Sequence, residues 1–244
     1  MNCALVVGGA NGIGLSIATI LAMRDECRKV YIVDRVLPEQ NFVHPKFECL
    51  CFDLTEKDYS IFDCFSDIDT LIITAGIGHL AHFKDLDEAY IIKSFEVNTI
   101  AVIRIIHHFY PRISASENFY CGVMGSIAGF MSSPLFSVYG ASKAALKIFI
   151  ESVNVELAKG GTSNRILNVS PGSIKGTAFY NGQNDLSLTS SLAEEILLRL
   201  KNKEDLFIPL YDEVFKGVLE RYREDFRAEG MHSYEYKMSS GRMK

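Results

Sequence analysis

The chain has 244 residues and a net charge of −5, with 48% hydrophobic and 23% charged residues. That length suits one large α/β domain with a substantial core and is too short for two comfortable domains. A net negative charge does not provide the basic surface that nucleic-acid binding requires. Three basic residues near the C-terminus, Lys237, Arg242 and Lys244, are interpreted as a solvated tail. We expect neither a nucleic-acid partner nor a membrane partner, because no run of about 18 apolar residues occurs.

The N-terminus is apolar but lacks the basic start of a signal peptide, and glycines interrupt it from Gly8 onward. We therefore expect a buried strand there and a cytoplasmic protein. The cysteines are scattered through mostly apolar runs, as buried free thiols usually are: Cys3, Cys27, Cys49, Cys51, Cys64 and Cys121. A metal at these thiols, or at His79 and His82, would need further ligands nearby. We expect no metal.

Short apolar runs and helical patterns alternate along the chain. The runs predict buried strands at 3–8, 29–34, 47–53, 70–74, 118–125, 165–170 and 205–208. Helical patterns lie between most of them, at 12–24, 87–113, 138–159 and 190–202. This alternation is typical of a parallel sheet covered on both faces. The expected fold class is α/β, a three-layer doubly wound parallel sheet of about seven strands with helices on both faces, and residues 1–244 form one domain.

The turn at residues 8–14 (GGANGIG) follows the first strand and opens the first helix. Gly8 permits a tight turn, Gly12 lets the backbone approach a pyrophosphate, and Gly14 allows close packing of the helix. The helix N-terminus offers free N–H groups and a positive dipole to phosphates. Because both required neighbours are present, the turn predicts a dinucleotide site.

An acid that binds the adenosine ribose is expected about 20 residues after such a turn. Asp34 closes the second strand, and its carboxylate would accept bonds from the ribose diol and repel a 2′-phosphate. NAD(H) is therefore favoured over NADP(H). Arg35 argues the other way, since a guanidinium can hold a phosphate, and Asp34 could also be only a strand-end cap. Asp53, before Leu54, could meet the adenine edge or cap a following helix.

Tyr139 and Lys143 are separated by one helical turn and so share a helix face. A lysine ammonium beside a phenol favours the phenolate and lowers the tyrosine pKa, which makes the tyrosine a usable acid/base. On its own, this spacing is far more often ordinary surface or core packing.

Several motifs together resemble the short-chain dehydrogenase/reductase family over residues 3–178. The family's turn, Thr-Gly-x-x-x-Gly-x-Gly, matches residues 7–14 except at Val7. After the fourth strand, Thr74 precedes Ala75-Gly76 where the family has asparagine. The Pro-Gly turn beside the nicotinamide matches residues 171–174 (PGSI), and Gly176, followed by Thr177, stands where the family has threonine.

The catalytic positions of the family match Asn98 in VNTIAVIRI, Ser126 in GSIAG, and Tyr139 and Lys143 in YGASK. The resemblance implies a Rossmann-fold, NAD(P)-dependent oxidoreductase that interconverts a secondary alcohol and a ketone. It implies that Tyr139 moves the proton, Lys143 also binds the nicotinamide ribose, Ser126 binds the substrate oxygen, and Asn98 holds a relay water. The expected cofactor contacts are Gly8, Asn11, Gly12, Ile13, Gly14, Asp34, Arg35, Asp53, Leu54, Ala75, Gly76, Tyr139, Lys143, Pro171, Gly172, Ile174 and Thr177.

The substrate is expected to be a small, moderately apolar ketone or secondary alcohol. The residues expected to line its site are Ile77, His79, Phe130, Phe136, Phe179 and Tyr180. A second possibility is a dinucleotide-binding sensor or scaffold without catalysis, against which the four retained catalytic residues speak. The resemblance implies a homodimer or homotetramer that forms through the helices at 87–113 and 138–159.

A helical C-terminal extension is expected at about 209–244. Apolar residues recur there at helical spacing and predict one amphipathic helix: Val214, Phe215, Val218, Leu219, Tyr222 and Phe226. Three uses of this helix are possible: it could cover the core, contact another subunit or contact a membrane surface. The acidic residues Glu220, Glu224 and Asp225 argue against an anionic membrane surface.

Overall fold

The computed structural model describes residues 1–177 and 184–241. The described residues form one sheet of seven strands: β1 (Cys3–Val7), β2 (Lys29–Asp34), β3 (Phe47–Cys51), β4 (Thr70–Ile73), β5 (Tyr120–Met124), β6 (Ile166–Val169) and β7 (Leu206–Phe207). Their order is β3-β2-β1-β4-β5-β6-β7, and neighbouring strands pair in parallel throughout. The predicted doubly wound parallel sheet is confirmed.

Helices fill most of the connections between the strands. Their bounds are α1 (Gly12–Met23), α2 (Glu88–Phe95), α3 (Ala101–Ile113), α4 (Ser137–Lys159), α5 (Leu186–Lys201), α6 (Lys216–Glu224) and α7 (Phe226–Ser239). Short 3-10 turns lie at Gln40–Phe42, Ser60–Cys64, Phe83–Asp85 and Ile127–Gly129. α5 begins four residues before the predicted start, because the Asp185 carboxylate accepts the Ser187 N–H at 3.0 Å and caps the helix. Within the described residues, no helix is both long and apolar enough to cross a bilayer.

The helix predicted over 87–113 is not uniform. A π-helical turn at Glu96–Ile100 separates α2 from α3. Asn98 lies inside this turn, fully buried, and its amide bonds to the backbone of Ile77. Asparagine is a poor residue for a helix interior, and π turns often mark functional sites.

The central strands are buried on both faces, as the apolar runs predict, whereas the edge strands β3 and β7 are only partly buried. Along β1, Leu5 and Val7 belong to a core cluster that includes Ile105 of α3. The intervening Val6 belongs to the cluster on the other face, together with Ile17 of α1. Alternate side chains of a strand point to opposite faces, so one short apolar run supplies both cores.

The C-terminal extension is three pieces rather than the single helix predicted. A π-helical turn (Tyr211–Phe215) leads into α6, and Asp225 then leaves the helix and caps α7 by accepting the N–H of Arg227 at 2.9 Å. Phe226 consequently starts a new helix and is half exposed instead of extending the apolar face of α6. Leu219 is the buried residue of α6.

Two further predictions need correction. Lys237 is not a solvated tail residue, because its ammonium donates to Ser133 Oγ at 2.8 Å and to the Pro134 carbonyl at 2.9 Å. Arg242 and Lys244 lie outside the described residues. Cys51 and Cys64 are exposed rather than buried, since one ends the edge strand β3 and the other ends a surface turn. Cys3, Cys27 and Cys121 are buried, and Cys49 is half-buried.

Candidate active site

A cavity of about 1030 Å³ runs along the carboxyl ends of the central strands. It lies where the chain, having added β2 and β3 on one side of β1, crosses over to place β4 on the other side. Such reversal points are where open α/β sheets bind ligands. All of the residues expected to contact a cofactor line this cavity, and so do Ser126, Tyr139 and Lys143. Its volume is at the top of the range of about 300–1,000 Å³ usual for small-molecule sites.

The glycine turn after β1 is shaped by two close approaches. Gly8 has a φ of 86°, and a Cβ on it would lie 2.7 Å from Ala75 Cα. A Cβ on Gly14 would collide with the Gly8 carbonyl oxygen and with Thr74 Oγ1. Thr74 donates its hydroxyl to that carbonyl at 2.9 Å, so the residue that replaces the family's asparagine holds the turn in place.

The N-terminus of α1 meets a residue that the sequence did not single out. Asn184 accepts the Gly12 N–H through Oδ1 at 2.9 Å and donates through Nδ2 to Asn11 at 2.8 Å. An amide oxygen therefore takes the bond that a phosphate oxygen at a helix N-terminus would take. Thr177 packs beside the same turn, with its Cγ2 3.2 Å from a Cβ placed on Gly12.

Charged residues of both signs line the cavity beyond the turn. Asp34 accepts the N–H of Ala10 at 3.1 Å and that of Arg35 at 2.7 Å, so it is a cap as well as a cavity residue. Lys93 of α2, which the sequence did not single out, lines the same cavity. Lys93 therefore adds a positive charge to the surroundings of the acids.

Asp53 closes a local turn instead of capping a helix. Its carboxylate accepts the N–H and the hydroxyl of Thr55, each at 2.9 Å, and the chain enters a 3-10 turn only at Ser60. The Thr55 N–H lowers the pKa of Asp53, and the charges of Lys93 and Arg35 act in the same direction. Asp53 and Leu54 both line the cavity.

Ser126, Tyr139 and Lys143 converge although they come from different elements. Ser126 follows β5 and accepts the Ala128 N–H at 3.2 Å, and its side chain bonds that of Tyr139. Tyr139 and Lys143 lie on α4, 8% and 3% exposed. Lys143 Nζ donates to the carbonyl of Met124, the last residue of β5, at 2.8 Å and lies 5.8 Å from the Tyr139 ring centroid. The end of β5 thus fixes both side chains of α4.

The electrostatics of this group differ from the expectation. Burial raises the pKa of Tyr139 to about 12, although the Ser126 hydrogen bond acts against that rise. Burial lowers the pKa of Lys143 to about 8. The expectation that the tyrosine pKa is lowered beside Lys143 is wrong for the protein without a cofactor. The cost of burying the charged phenolate outweighs the interactions that stabilise the phenolate. Near neutral pH the Tyr139 phenol therefore keeps its proton.

Asn98 lies behind the cavity wall and joins two of its supports. Its amide accepts the Ile77 N–H at 2.8 Å and donates to the Ile77 carbonyl at 2.9 Å. The same amide donates to Ser142 Oγ at 3.1 Å, and Ser142 donates to the carbonyl of Tyr139 at 2.7 Å. The side chain expected to hold a relay water is therefore used in positioning the loop after β4 against α4.

The residues expected to line a substrate site separate into three groups. Ile77, His79 and Phe136 line the cavity, with the His79 ring packed 4.3 Å from the ring of Tyr90. Phe130 packs instead against a small cluster that contains Leu219 of α6, because the 3-10 turn before it directs it there. Phe179 and Tyr180 lie outside the described residues.

The C-terminal helices supply lining residues that sequence reasoning missed. They are Val214, Phe215, Val218, Glu229, His232, Ser233, Tyr236 and Lys237. The apolar spacing before Phe226 signalled a packed helix, but the motif pattern carried no sign that this helix faces the cavity.

Among the described residues, no group of three His, Cys, Asp or Glu side chains could hold a metal ion.

Strand order and cavity position define an α/β protein with a Rossmann-type fold. A family model for short chain dehydrogenases matches residues 2–186, most of the chain. The protein therefore belongs to the short-chain dehydrogenase family, and the resemblance seen in the motifs is confirmed.

Known relatives agree with this placement. Dehydrogenase RED2 of Cochliobolus heterostrophus is 30% identical over 169 residues, which are 66% of this chain and 63% of that protein. Human 17-beta-hydroxysteroid dehydrogenase type 1 is 28% identical over 182 residues, 68% of this chain and 56% of that protein. The match thus spans less than two thirds of either relative. A short chain dehydrogenase from Burkholderia cenocepacia, solved in complex with NADP, shares the fold with a TM-score of 0.76 at 22% identity, over 95% of this chain and 97% of that one.

Proposed function

We propose that this protein is an NAD(P)-dependent oxidoreductase that interconverts a secondary alcohol and a ketone, with Tyr139 as the acid/base. The observation that carries the proposal is one cavity that joins the glycine turn to Ser126, Tyr139 and Lys143. A pure binding protein would have little use for that trio in the wall of its nucleotide cavity. The names of the two relatives, both dehydrogenases, support the same activity.

The residues present fit a dinucleotide. The turn leaves no room for a Cβ on Gly8 or Gly14, and the Gly12 N–H meets an amide oxygen where a phosphate oxygen would bind. The glycine turn would hold the phosphates, while Asp34 would hold the adenosine ribose and Lys143 the nicotinamide ribose. The nicotinamide, when bound, supplies the site that gives or takes the hydride.

The chain's own side chains manage the proton. In ketone reduction, protonated Tyr139 donates to the carbonyl oxygen, and Ser126 hydrogen-bonds the same oxygen and stabilises its developing charge. In alcohol oxidation, Tyr139 must first lose its proton, which its raised pKa opposes. We therefore expect ketone reduction to be the faster direction near neutral pH. Asn98 is a positioning residue, because it acts through Ile77 and Ser142.

NAD(H) is the preferred cofactor in this proposal. The Asp34 carboxylate in the cavity wall would accept bonds from a ribose diol and repel a 2′-phosphate. Arg35 and Lys93 line the same cavity, and their positive charges would let NADP(H) bind with a lower affinity than NAD(H). Titration of the protein with each reduced cofactor measures the preference, and tighter binding of NADPH would reverse this assignment.

Self-association through α3 and α4 is also part of the proposal. Ile148 and Val155 of α4 are 58% and 71% exposed, and Ile100, just before α3, is 51% exposed. Isolated apolar side chains are common on surfaces, but these lie on the helices through which family members pair. Light scattering on the eluting protein would show a homodimer or homotetramer. The cytoplasmic location stays a prediction.

A panel of ketones and secondary alcohols, offered with each cofactor and followed by nicotinamide absorbance, tests the activity. We expect turnover of at least one ketone, faster in the reduction direction near neutral pH. Tight cofactor binding without turnover of any compound would instead support the non-catalytic sensor or scaffold.

A further inference from the structure

The cavity continues past the catalytic residues to a wall made by α7. Glu229, His232, Tyr236 and Lys237 of that helix line it. Proton transfer by Tyr139 requires none of them. A polar wall at a distance from the reacting carbon is therefore a candidate for recognising the rest of the substrate.

The cavity between Tyr139 and α7 has apolar walls. Phe136 packs on the Tyr139 ring with their centroids 4.6 Å apart, and Leu80 belongs to the same cluster. Tyr234 of α7 packs against this cluster. Phe215, from the turn before α6, also lines the cavity. These walls favour a ligand with an apolar body.

Glu229 places a buried carboxylate in the far wall. Its side chain is 9% exposed, and Oε2 accepts from Arg221 Nε at 2.7 Å. The contact from Arg221 Nη2 to Oε1 is longer, at 3.4 Å, and His232 Nδ1 lies 3.8 Å from Oε2. A carboxylate has about four acceptor positions, so this one retains capacity for a donor from the cavity.

The charge at this wall selects the kind of donor. Arg221 balances Glu229, so the pair prefers a neutral hydroxyl over a further anion, which the carboxylate would repel. Lys237 could attract an anionic group, but its ammonium already bonds Ser133 and Pro134. A hydroxyl can donate to Glu229 and accept from His232.

We propose that the substrate has an apolar body and a second hydroxyl group at the end remote from the reacting carbon, and that Glu229 accepts a hydrogen bond from this hydroxyl. The inference rests on the proposed function, because Tyr139 defines which end of the ligand reacts. It assigns substrate selection to α7 and leaves the proton chemistry with α4.

Three matched ketones test this proposal on the full chain saturated with oxidised cofactor. Each is a cyclohexanone that carries, opposite the carbonyl, a phenyl, a para-hydroxyphenyl or a para-carboxyphenyl group. Calorimetric titration gives their affinities without requiring turnover. We expect the hydroxyphenyl ketone to bind at least about tenfold more tightly than the phenyl ketone, as a hydrogen bond to a charged acceptor does.

Two variants separate recognition from structural support. Glu229→Gln keeps the side-chain volume and should reduce the hydroxyphenyl preference to about threefold or less, since a neutral acceptor binds more weakly. Arg221→Gln breaks the same ion pair but leaves the carboxylate, so the preference should persist. Fluorescence titration with reduced cofactor verifies that each variant is folded. If Glu229→Gln is not folded, the wild-type affinities for the three ketones decide alone.

The outcomes distinguish this inference from the proposed function. Equal wild-type affinity for the phenyl and hydroxyphenyl ketones would overturn it, as would a preference for the carboxyphenyl ketone or a preference unchanged in Glu229→Gln. The expected affinities without reduction of any ketone would instead contradict the oxidoreductase assignment. Reduction without a hydroxyl preference would support the activity and refute the role of Glu229.

Discussion

At one end of the cavity the walls are strand ends of a buried sheet, whereas at the other end they are two exposed helices. Lys143 is held by the last carbonyl of β5, and Thr74 secures the glycine turn after β1. The far wall is held by side chains, through the pair of Arg221 with Glu229 and the bonds of Lys237. Side chains held by the sheet keep the fixed geometry that a reaction requires. Helices attached at the edge of the sheet can differ in sequence and position, and so can select the substrate.

The difference between the two ends of the cavity is tested most directly by removing one tyrosine hydroxyl at each end. Tyr139→Phe should lose about 10²–10⁴-fold in kcat for every substrate, because no other group supplies the proton, and it should bind cofactor almost normally. Tyr236→Phe, the matched change in α7, should alter KM according to the substrate and affect kcat far less. Steady-state kinetics with two unlike ketones measures both, and a Tyr139→Phe enzyme within tenfold of wild type would end the assignment.

The pH dependence sharpens the account of the reaction end. Because burial lowers the pKa of Lys143 to about 8, the ammonium loses its charge as the pH rises through that value. Tyr139 stays protonated there, since its pKa is raised to about 12. We expect kcat for ketone reduction to fall up to about tenfold per unit above about pH 8. Lys143→Arg, whose guanidinium stays charged, should lose this alkaline limb. A flat wild-type profile would contradict the account.

Asp34 tests whether the cofactor end also selects by charge. Asp34→Ala should weaken NADH by about tenfold, through the loss of bonds to a charged acceptor, and should weaken NADPH less. Lys93→Ala removes a nearby positive charge and should weaken NADPH more than NADH. Fluorescence titrations give the four dissociation constants. Equal losses for both cofactors in Asp34→Ala would show that the carboxylate only supports the turn through Ala10 and Arg35.

The smallest effect is expected where α7 is tied to the body of the protein. Lys237→Met removes the bonds to Ser133 and Pro134 and should loosen the wall, which raises KM by a few-fold with a smaller change in kcat. A kcat loss as large as the KM change would mean that the far wall also positions Tyr139. The two ends of the cavity would then not be independent.

Features whose signal lies within a short stretch of sequence were predicted correctly. Apolar runs and helical spacing predicted the seven strands and the first helices, because a parallel sheet buried on both faces requires them. The turn at Gly8 and the cavity residues Ser126, Tyr139 and Lys143 were singled out because each has a fixed place beside a strand end or on one helix face.

Features that depend on distant parts of the chain were missed. Asn184 meets Gly12 across 172 residues, and no spacing rule links the two. α7 covers the cavity because Asp225 redirects the chain, a turn that the pattern ending at Phe226 did not reveal. The pKa of Tyr139 was placed on the wrong side of its ordinary value, since helix spacing shows a neighbouring charge but not the extent of burial.

The strand order also has a consequence for how the chain is made. β1 is the first strand to be synthesised and lies between β2 and β4, yet β4 leaves the ribosome much later, with Leu5 pairing to Leu71. Until then β1 has a pairing partner, β2, along one edge only. The nascent chain therefore carries an open strand edge through the synthesis of more than sixty residues, about 3–13 s at 5–20 residues per second, during which a chaperone has access to it.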